Sequence, residues 1–274
     1  MTKRIAITAP ARALDRAAAE AVLKLNREKL DAGALELVFH PQCFSRNGHF
    51  AGTDAERASA FLEAANDPSF DAVWFARGGY GSCRFGEDTF TAMSPAAMDK
   101  IYLGYSDLGF VLARLQSAGI GKPAHGPMPA DILHEGGEAA ILRVLNWLAF
   151  SDASSLEATP KPSAPVLAFN IMVLASAMSG TNKPNLAGRI LMLEEVGEHL
   201  YAMDRALFAI FMTDAAKSLA GVMLGRVSHI PENDIEFGAT PEAIIQFWCK
   251  RAGVPYLGRA DIGHDAENKI VPFG

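Results

Sequence analysis

The chemistry of this chain starts at Ser106, in the stretch IYLGYSDLGF. An apolar run climbs to Gly104, Tyr105-Ser106-Asp107 follow, and Gly109 comes two residues later. A serine between a strand and a helix has two readings. It can cap the helix, or it can be a nucleophile raised on a sharp turn, as in the related G-x-S-x-G elbow, whose second glycine here comes one residue late. A nucleophilic serine needs a base and donors for an oxyanion. Of the seven histidines, His40, His49, His134, His199 and His229 lie among polar residues and read as solvated. His125 in AHGPM and His264 in ADIGHDAEN each follow a predicted strand, so both are candidates for the base; His125 reads equally well as a shaper of its turn. Glu194 and Glu195 end the apolar strand ILMLEE, where a carboxylate can either orient an imidazole or simply reach water. The glycines of RGGYG let backbone N–H groups approach a substrate closely, and the N–H of Asp107 can assist them.

Other chemistries find little support. RGGYGSCR has neither the G-x-x-x-x-G-K-[ST] nor the G-x-G-x-x-G spacing of a phosphate loop, and no H-x-x-x-H or H-x-x-E-H pair is present, so neither a cofactor nor a metal is expected. The net charge is −6 with no basic block, which disfavours nucleic acid and anionic membrane surfaces as partners. No apolar run approaches membrane-span length, and the apolar run after Lys3-Arg4 is too short for a secretory signal. Cys43, Cys83 and Cys249 are odd in number and widely spaced, which suits a reducing, cytoplasmic setting.

The elements that must position these residues follow from periodicity. RIAITAP, LELVFHP, DAVWFARGG and KIYLGYSD read as strands alternating with helical segments, among them TDAERASAFLEAAND with a capping box from Thr53 to Glu56. Such alternation predicts an α/β fold with a flavodoxin-like parallel sheet and helices on both faces, with the site beyond the strands' C-terminal ends. Residues 1–150 form this predicted domain. Residues 151–165, SDASSLEATPKPSAP, read as a linker, and 166–274 as a smaller α/β domain. There, DRALFAIFMTDAAKSLAG is expected to be one amphipathic helix, and PYLGRADIGHD and NKIVPF to be short strands of the same domain.

Four segments together resemble the LD-carboxypeptidases, a family of serine peptidases that includes the microcin C immunity peptidases. They are FAGTDAERASAFLEAANDPSFDAVWFARGGYGSCR, IYLGYSDLG, LMLEEVGEHLYAMDRAL and IGHDAEN. The resemblance covers nearly the whole chain. It implies a triad of Ser106, His264 and Glu194 split between the two domains, with backbone N–H groups of Gly79 and Asp107 as the oxyanion hole. It also implies hydrolysis of an L,D amide bond, usually the release of terminal D-alanine from a murein tetrapeptide in cell-wall recycling, and a homodimer. A substrate ending in a carboxylate calls for a cation, and Arg77 and Arg205 are the candidates. The chain departs from the family at three places: GHDAEN carries Glu267 where proline is common, the segment at Asn170 reads AFN where glycines are common, and the sequence stops at VPFG. Two alternatives stay open: an amidase acting on microcin C-like aminoacyl-nucleotide toxins, and a catalytically silent peptide-binding homologue.

Overall fold

A computed structural model describes residues 2–158, 164–180 and 183–274. Five strands, β1 (Lys3–Thr8), β2 (Leu35–Phe39), β3 (Ala72–Phe75), β4 (Ile101–Gly104) and β5 (Lys122–His125), form a parallel sheet in the order β2-β1-β3-β4-β5. That is the flavodoxin-like order, in which the chain reverses direction between β1 and β3 and leaves a crevice at their C-terminal ends. Strand residues alternate between two cores, as the two-residue strand period requires. Ile5, Ile7, Trp74 and Leu103 meet α1 (Arg16–Lys29) and α5 (Gly137–Phe150) on one face. Ala6, Val73, Phe75 and Tyr102 meet α2 (Asp54–Asn66) and α4 (Gly109–Ala118) on the other. A short helix, α3 (Glu87–Thr91), precedes β4. The Thr53–Glu56 capping box starts α2: Glu56 N–H donates to Thr53 Oγ1 at 3.2 Å and Thr53 N–H donates to Glu56 Oε2 at 2.7 Å.

A second parallel sheet holds β6 (Val166–Asn170), β7 (Ile190–Val196), β8 (Gly221–Ser228) and β9 (Tyr256–Arg259) in that order. Its helices α6 (Ile171–Ala177), α7 (Leu200–Phe211) and α8 (Pro241–Ala252) share one apolar core. Gly109 lies where the two units meet: a Cβ there would stand 2.8 Å from Val173 Cγ1 of α6.

Three expectations need correction. The helix expected over DRALFAIFMTDAAKSLAG begins earlier, at Leu200, and stops at Phe211. Thr213 Oγ1 donates to the Ile210 carbonyl at 2.8 Å, a side-chain bond that competes with further helix, and Ala216–Ser218 forms a separate 3-10 turn. The segment NKIVPF does not stay with the second sheet. Its strand β10 (Val271–Pro272) returns to the first sheet and pairs antiparallel with β5, covering what would be an open edge. The linker expected over 151–165 is tied down in its first half: Ser155 is buried, its carbonyl accepts Ile270 N–H at 3.1 Å, and Glu157 N–H donates to the Ile270 carbonyl at 2.9 Å. Its residues 159–163 lie outside the described residues. Among the described residues no helix is long and apolar enough to cross a membrane.

Candidate active site

Ser106 follows the end of β4, and its backbone is left-handed, with φ of 58°. A non-glycine residue pays strain for that conformation and holds it only when its surroundings enforce it. The close packing is visible at the glycines around it. A Cβ on Gly104 would stand 2.9 Å from Phe75 Cδ2, and one on Gly78 would stand 3.2 Å from Ser106 Cβ and 3.3 Å from its Oγ. The capping alternative fails on geometry. The residue at the N-cap of α4 is Leu108, the one before the Ser106–Leu108 turn is Tyr105, and neither start has a side-chain cap bond.

The glycine-rich loop after β3 is fixed from two sides. Arg57 of α2, fully buried, donates through Nη1 to the carbonyls of Pro10 and Gly81, the latter at 2.9 Å. Asp107 clamps the loop to the serine turn: its Oδ2 accepts Ser82 N–H at 2.9 Å, and its carbonyl accepts the Ser82 hydroxyl at 2.5 Å. Gly79 has φ of +112°, and a Cβ on it would overlap the Arg12 side chain. Only glycine meets both conditions.

The histidine loop is built differently. His264 Nδ1 lies 2.6 Å from Oε2 of Glu194, whose side chain is 0% exposed at the end of β7. The other ring nitrogen, Nε2, is buried and has no hydrogen-bond partner among the described residues. The ring packs on Tyr105, next to the serine, with centroids 4.8 Å apart. Burial pulls the His264 pKa down, but the charge and hydrogen bond of Glu194 raise it, Asp131 and Glu195 add to that, and the net shift is upward. Polar contacts hold the loop itself. Arg226 of β8 pairs with Asp261 and Asp265, and Arg143 of α5 donates to the carbonyls of Ala266 and Asn268, both at 2.9 Å. Glu267 is exposed, and its N–H donates to Asp265 Oδ1 at 3.0 Å. Gly225 of β8 leaves room for this approach, since a Cβ there would stand 2.6 Å from the Ile262 carbonyl oxygen and 3.0 Å from Glu194 Cβ.

The neighbouring candidates differ in burial and partner. His125 is 1% exposed and its Nε2 meets Asn268 Oδ1 at 3.1 Å; burial lowers its pKa to about 4, so it stays neutral and braces the histidine loop. Glu195 follows Glu194 in the strand and has other partners. It accepts Asn170 Nδ2 at 2.7 Å, Val196 N–H at 2.9 Å and Met172 N–H at 3.0 Å, and burial raises its pKa to about 7.

Ser106, His264, Gly79 and Arg77 line one cleft of about 450 Å³. Arg77 is half-buried there, and burial, followed by the nearby Arg12, lowers its pKa. Arg12 on the same wall is absent from the sequence-based candidates. Its position just past the end of β1, at the crevice of the sheet, is the signal that could have found it. Arg205 does not reach the cleft wall. Met203, Ala206, Leu207 and Ile210 turn the buried face of α7 inward, which leaves Arg205 exposed over the Tyr201 ring at 5.4 Å. On the other side of Ser106 a second hollow, about 370 Å³, is lined by Asp107, Asn170, Glu195 and Glu198 among others. Among the described residues no cluster of three or more His, Cys, Asp or Glu side chains could hold a metal ion.

Residues 5–126 match the family model of the LD-carboxypeptidase N-terminal domain, and residues 163–274 match that of the LD-carboxypeptidase C-terminal domain. The murein tetrapeptide carboxypeptidase of Pseudomonas aeruginosa is 26% identical over 99% of this chain and 91% of its own. The crystal structure of muramoyltetrapeptide carboxypeptidase from Oxalobacter formigenes superimposes with a TM-score of 0.80 at 22% identity, covering 99% of this chain and 93% of that one. MccF in complex with glutamyl sulfamoyl guanosine shares the fold at a TM-score of 0.78 and 16% identity, covering 100% and 91%. The chain belongs to the LD-carboxypeptidase family of serine-type peptidases.

Proposed function

We propose that Ser106, His264 and Glu194 act as a catalytic triad that removes the terminal D-alanine of a murein tetrapeptide. One observation carries the reading. At the cleft wall beside Ser106, His264 Nδ1 lies 2.6 Å from the fully buried carboxylate of Glu194, and its outer nitrogen has no partner among the described residues, whereas the exposed His134 lies 3.7 Å from Asp131. His264 Nε2 takes the proton from Ser106 Oγ as the oxygen attacks the carbonyl carbon of the L,D amide. The N–H groups of Gly79 and Asp107 hold the oxyanion. As the C–N bond breaks, Nε2–H returns its proton to the leaving amine, and D-alanine departs. Water then gives a proton to His264 and attacks the acyl-serine, which releases the shortened peptide and restores the hydroxyl. Glu194 accepts Nδ1–H throughout and stabilises the imidazolium. Arg77 offers a positive charge for the substrate's terminal carboxylate. The relatives' names support murein peptide as the substrate.

Free D-alanine released from L-Ala-D-Glu-meso-diaminopimelate-D-Ala, followed by mass spectrometry with Ser106→Ala alongside, tests this. Release by the wild type alone supports it, and no release by the wild type overturns it. A second reading, hydrolysis of an aminoacyl-nucleotide amide, is favoured by Tyr80. Its ring is 50% exposed on the hollow beside Ser106, where it could stack on a base. A glutamyl sulfamoyl nucleoside in the same assay separates the two. A cytoplasmic homodimer belongs to the same proposal, and light scattering after gel filtration tests the assembly.

A further inference from the structure

Tyr105 joins the two halves of the proposed triad. It is peptide-bonded to Ser106, and its ring packs on the His264 ring with centroids 4.8 Å apart and planes at 53°. The same ring meets the buried His125 edge-on, with centroids 5.5 Å apart. Tyr105 is only 5% exposed, so its ring has little room to turn away. Its hydroxyl donates to Asp131 Oδ1 at 3.1 Å. Asp131 lies in the Pro129–Leu133 turn that follows β5, is itself buried, and accepts Met128 N–H through Oδ2 at 2.8 Å. Burial holds the Tyr105 pKa well above 10, so the hydroxyl keeps the proton it donates.

Resting on the triad proposed above, the need for such a residue is geometric. Among the described residues the His264 ring has one hydrogen bond, between Nδ1 and Glu194. One bond fixes a point and lets the ring swing about it, while Nε2 on the far side must meet Ser106 Oγ. Glu194 stands at the end of β7, in the same unit as His264, so it places the ring within that unit. Ser106 follows β4 of the other sheet, and Glu194 has no means of gauging the distance to it. A ring carried by the neighbour of the serine does, because close packing transmits small displacements. We propose that Tyr105, pinned by Asp131, is a positioning residue whose ring face sets the tilt at which His264 Nε2 meets Ser106 Oγ across the boundary between the two units. Asp131 acts one step further back, by holding the tyrosine ring at its hydroxyl.

Tyr105→Leu, Tyr105→Phe, Asp131→Asn and the double variant of the last two test this, beside wild type and His264→Ala. Two rates are read. One is D-alanine release from L-Ala-D-Glu-meso-diaminopimelate-D-Ala, as kcat and KM. The other is labelling of Ser106 by an alkyl fluorophosphonate, in which Oγ bonds to phosphorus, fluoride leaves and His264 takes the hydroxyl proton. Tyr105→Leu removes the ring face and is expected to lower kcat and the labelling rate about 100-fold, with KM within a few-fold of wild type. Tyr105→Phe keeps the face but frees it from Asp131, and is expected to restore all but about 10-fold. Asp131→Asn offers one acceptor oxygen for two donors and is expected to cost about the same 10-fold. The double variant loses no more than either single change, because both break one link. Wild-type rates in Tyr105→Leu, a loss carried by KM alone, equal losses in the leucine and phenylalanine variants, or additive losses in the double variant would overturn the proposal. Wild-type rates in His264→Ala would overturn the triad and this proposal with it. Labelling without D-alanine release by the wild type overturns the murein-peptide reading alone, and the labelling rates of the variants then decide this proposal.

Discussion

The serine side and the histidine side of the cleft are held by different forces. Around Ser106 the restraint is steric: a left-handed serine, Gly78 beneath it, Gly79 under Arg12, and Gly104 against Phe75. Around His264 the restraint is polar: Glu194 on the ring, Arg226 on two aspartates, Arg143 on two carbonyls, and Asn268 between His125 and Gly263 N–H. The first side should therefore respond to added volume and be indifferent to pH. The second should respond to charge and tolerate small changes of shape. The division suits the proposed mechanism, in which the serine is held in a strained position while the histidine changes its charge in each cycle.

The largest effect that can break this comparison is loss of the nucleophile. Ser106→Ala is expected to reduce D-alanine release by about 10⁶-fold, and His264→Ala on top of it to add almost nothing, because triad members act as a unit. Additive losses in the double variant would show that the two sides do not work together. Glu194→Gln follows, with about 10⁴-fold in kcat. It also has a pH signature. In the proposed mechanism His264 works as a neutral base, and Glu194 holds its pKa above the ordinary 6.5, so kcat/KM of the wild type is expected to fall as pH drops through that raised value. In Glu194→Gln the acid limb moves to lower pH; an unmoved limb would remove Glu194 from the pair.

Volume on the serine side comes next. Gly79→Ala meets both a positive φ and the Arg12 side chain, and is expected to lower kcat by about 10²-fold through a displaced oxyanion donor. The loss should be the same from pH 6 to 9, read from steady-state rates. Arg226→Ala, which frees the histidine loop from two aspartates, is expected to cost about 10-fold in kcat, since small misplacements of a catalytic group are expensive. Wild-type rates in either variant would contradict the restraint assigned to that side.

The smallest effect separates the two histidines by stability. His125 is buried neutral with its pKa near 4. The unfolded chain therefore binds more protons below about pH 6.5, and the native state loses about 3 kcal/mol as pH falls from there toward 4. The His264–Glu194 pair works in the opposite sense. Its folded pKa is raised, so its contribution is full below about pH 6.5 and fades as pH rises through the folded value. Urea unfolding of His125→Asn against wild type across pH 4 to 7 should show the acid slope reduced. An unchanged slope would place its source elsewhere.

Much of this was legible in the sequence. Apolar runs ending in glycine, at IYLG and AVWFARGG, placed Ser106 and Gly79 at strand ends, and the alternation of strand and helix gave a parallel sheet whose functional groups gather at those ends. What periodicity missed has local physical causes. The end of α7 depends on one threonine hydroxyl bonding backwards to Ile210, and the outward turn of Arg205 depends on which face of that helix found a core. The return of Val271–Pro272 to β5 depends on an edge more than a hundred residues upstream that needed covering.

The sequence by itself determined the residue types, their order along the chain, and their placement at the ends of apolar strands, because strand period and glycine freedom are local properties. Only the tertiary structure set Glu194 rather than Glu195 against the His264 ring, buried His125 against Asn268, and brought Arg12 to the cleft wall. Each of those choices turns on which neighbour excludes water and which offers an opposite charge, and those neighbours come from remote parts of the chain.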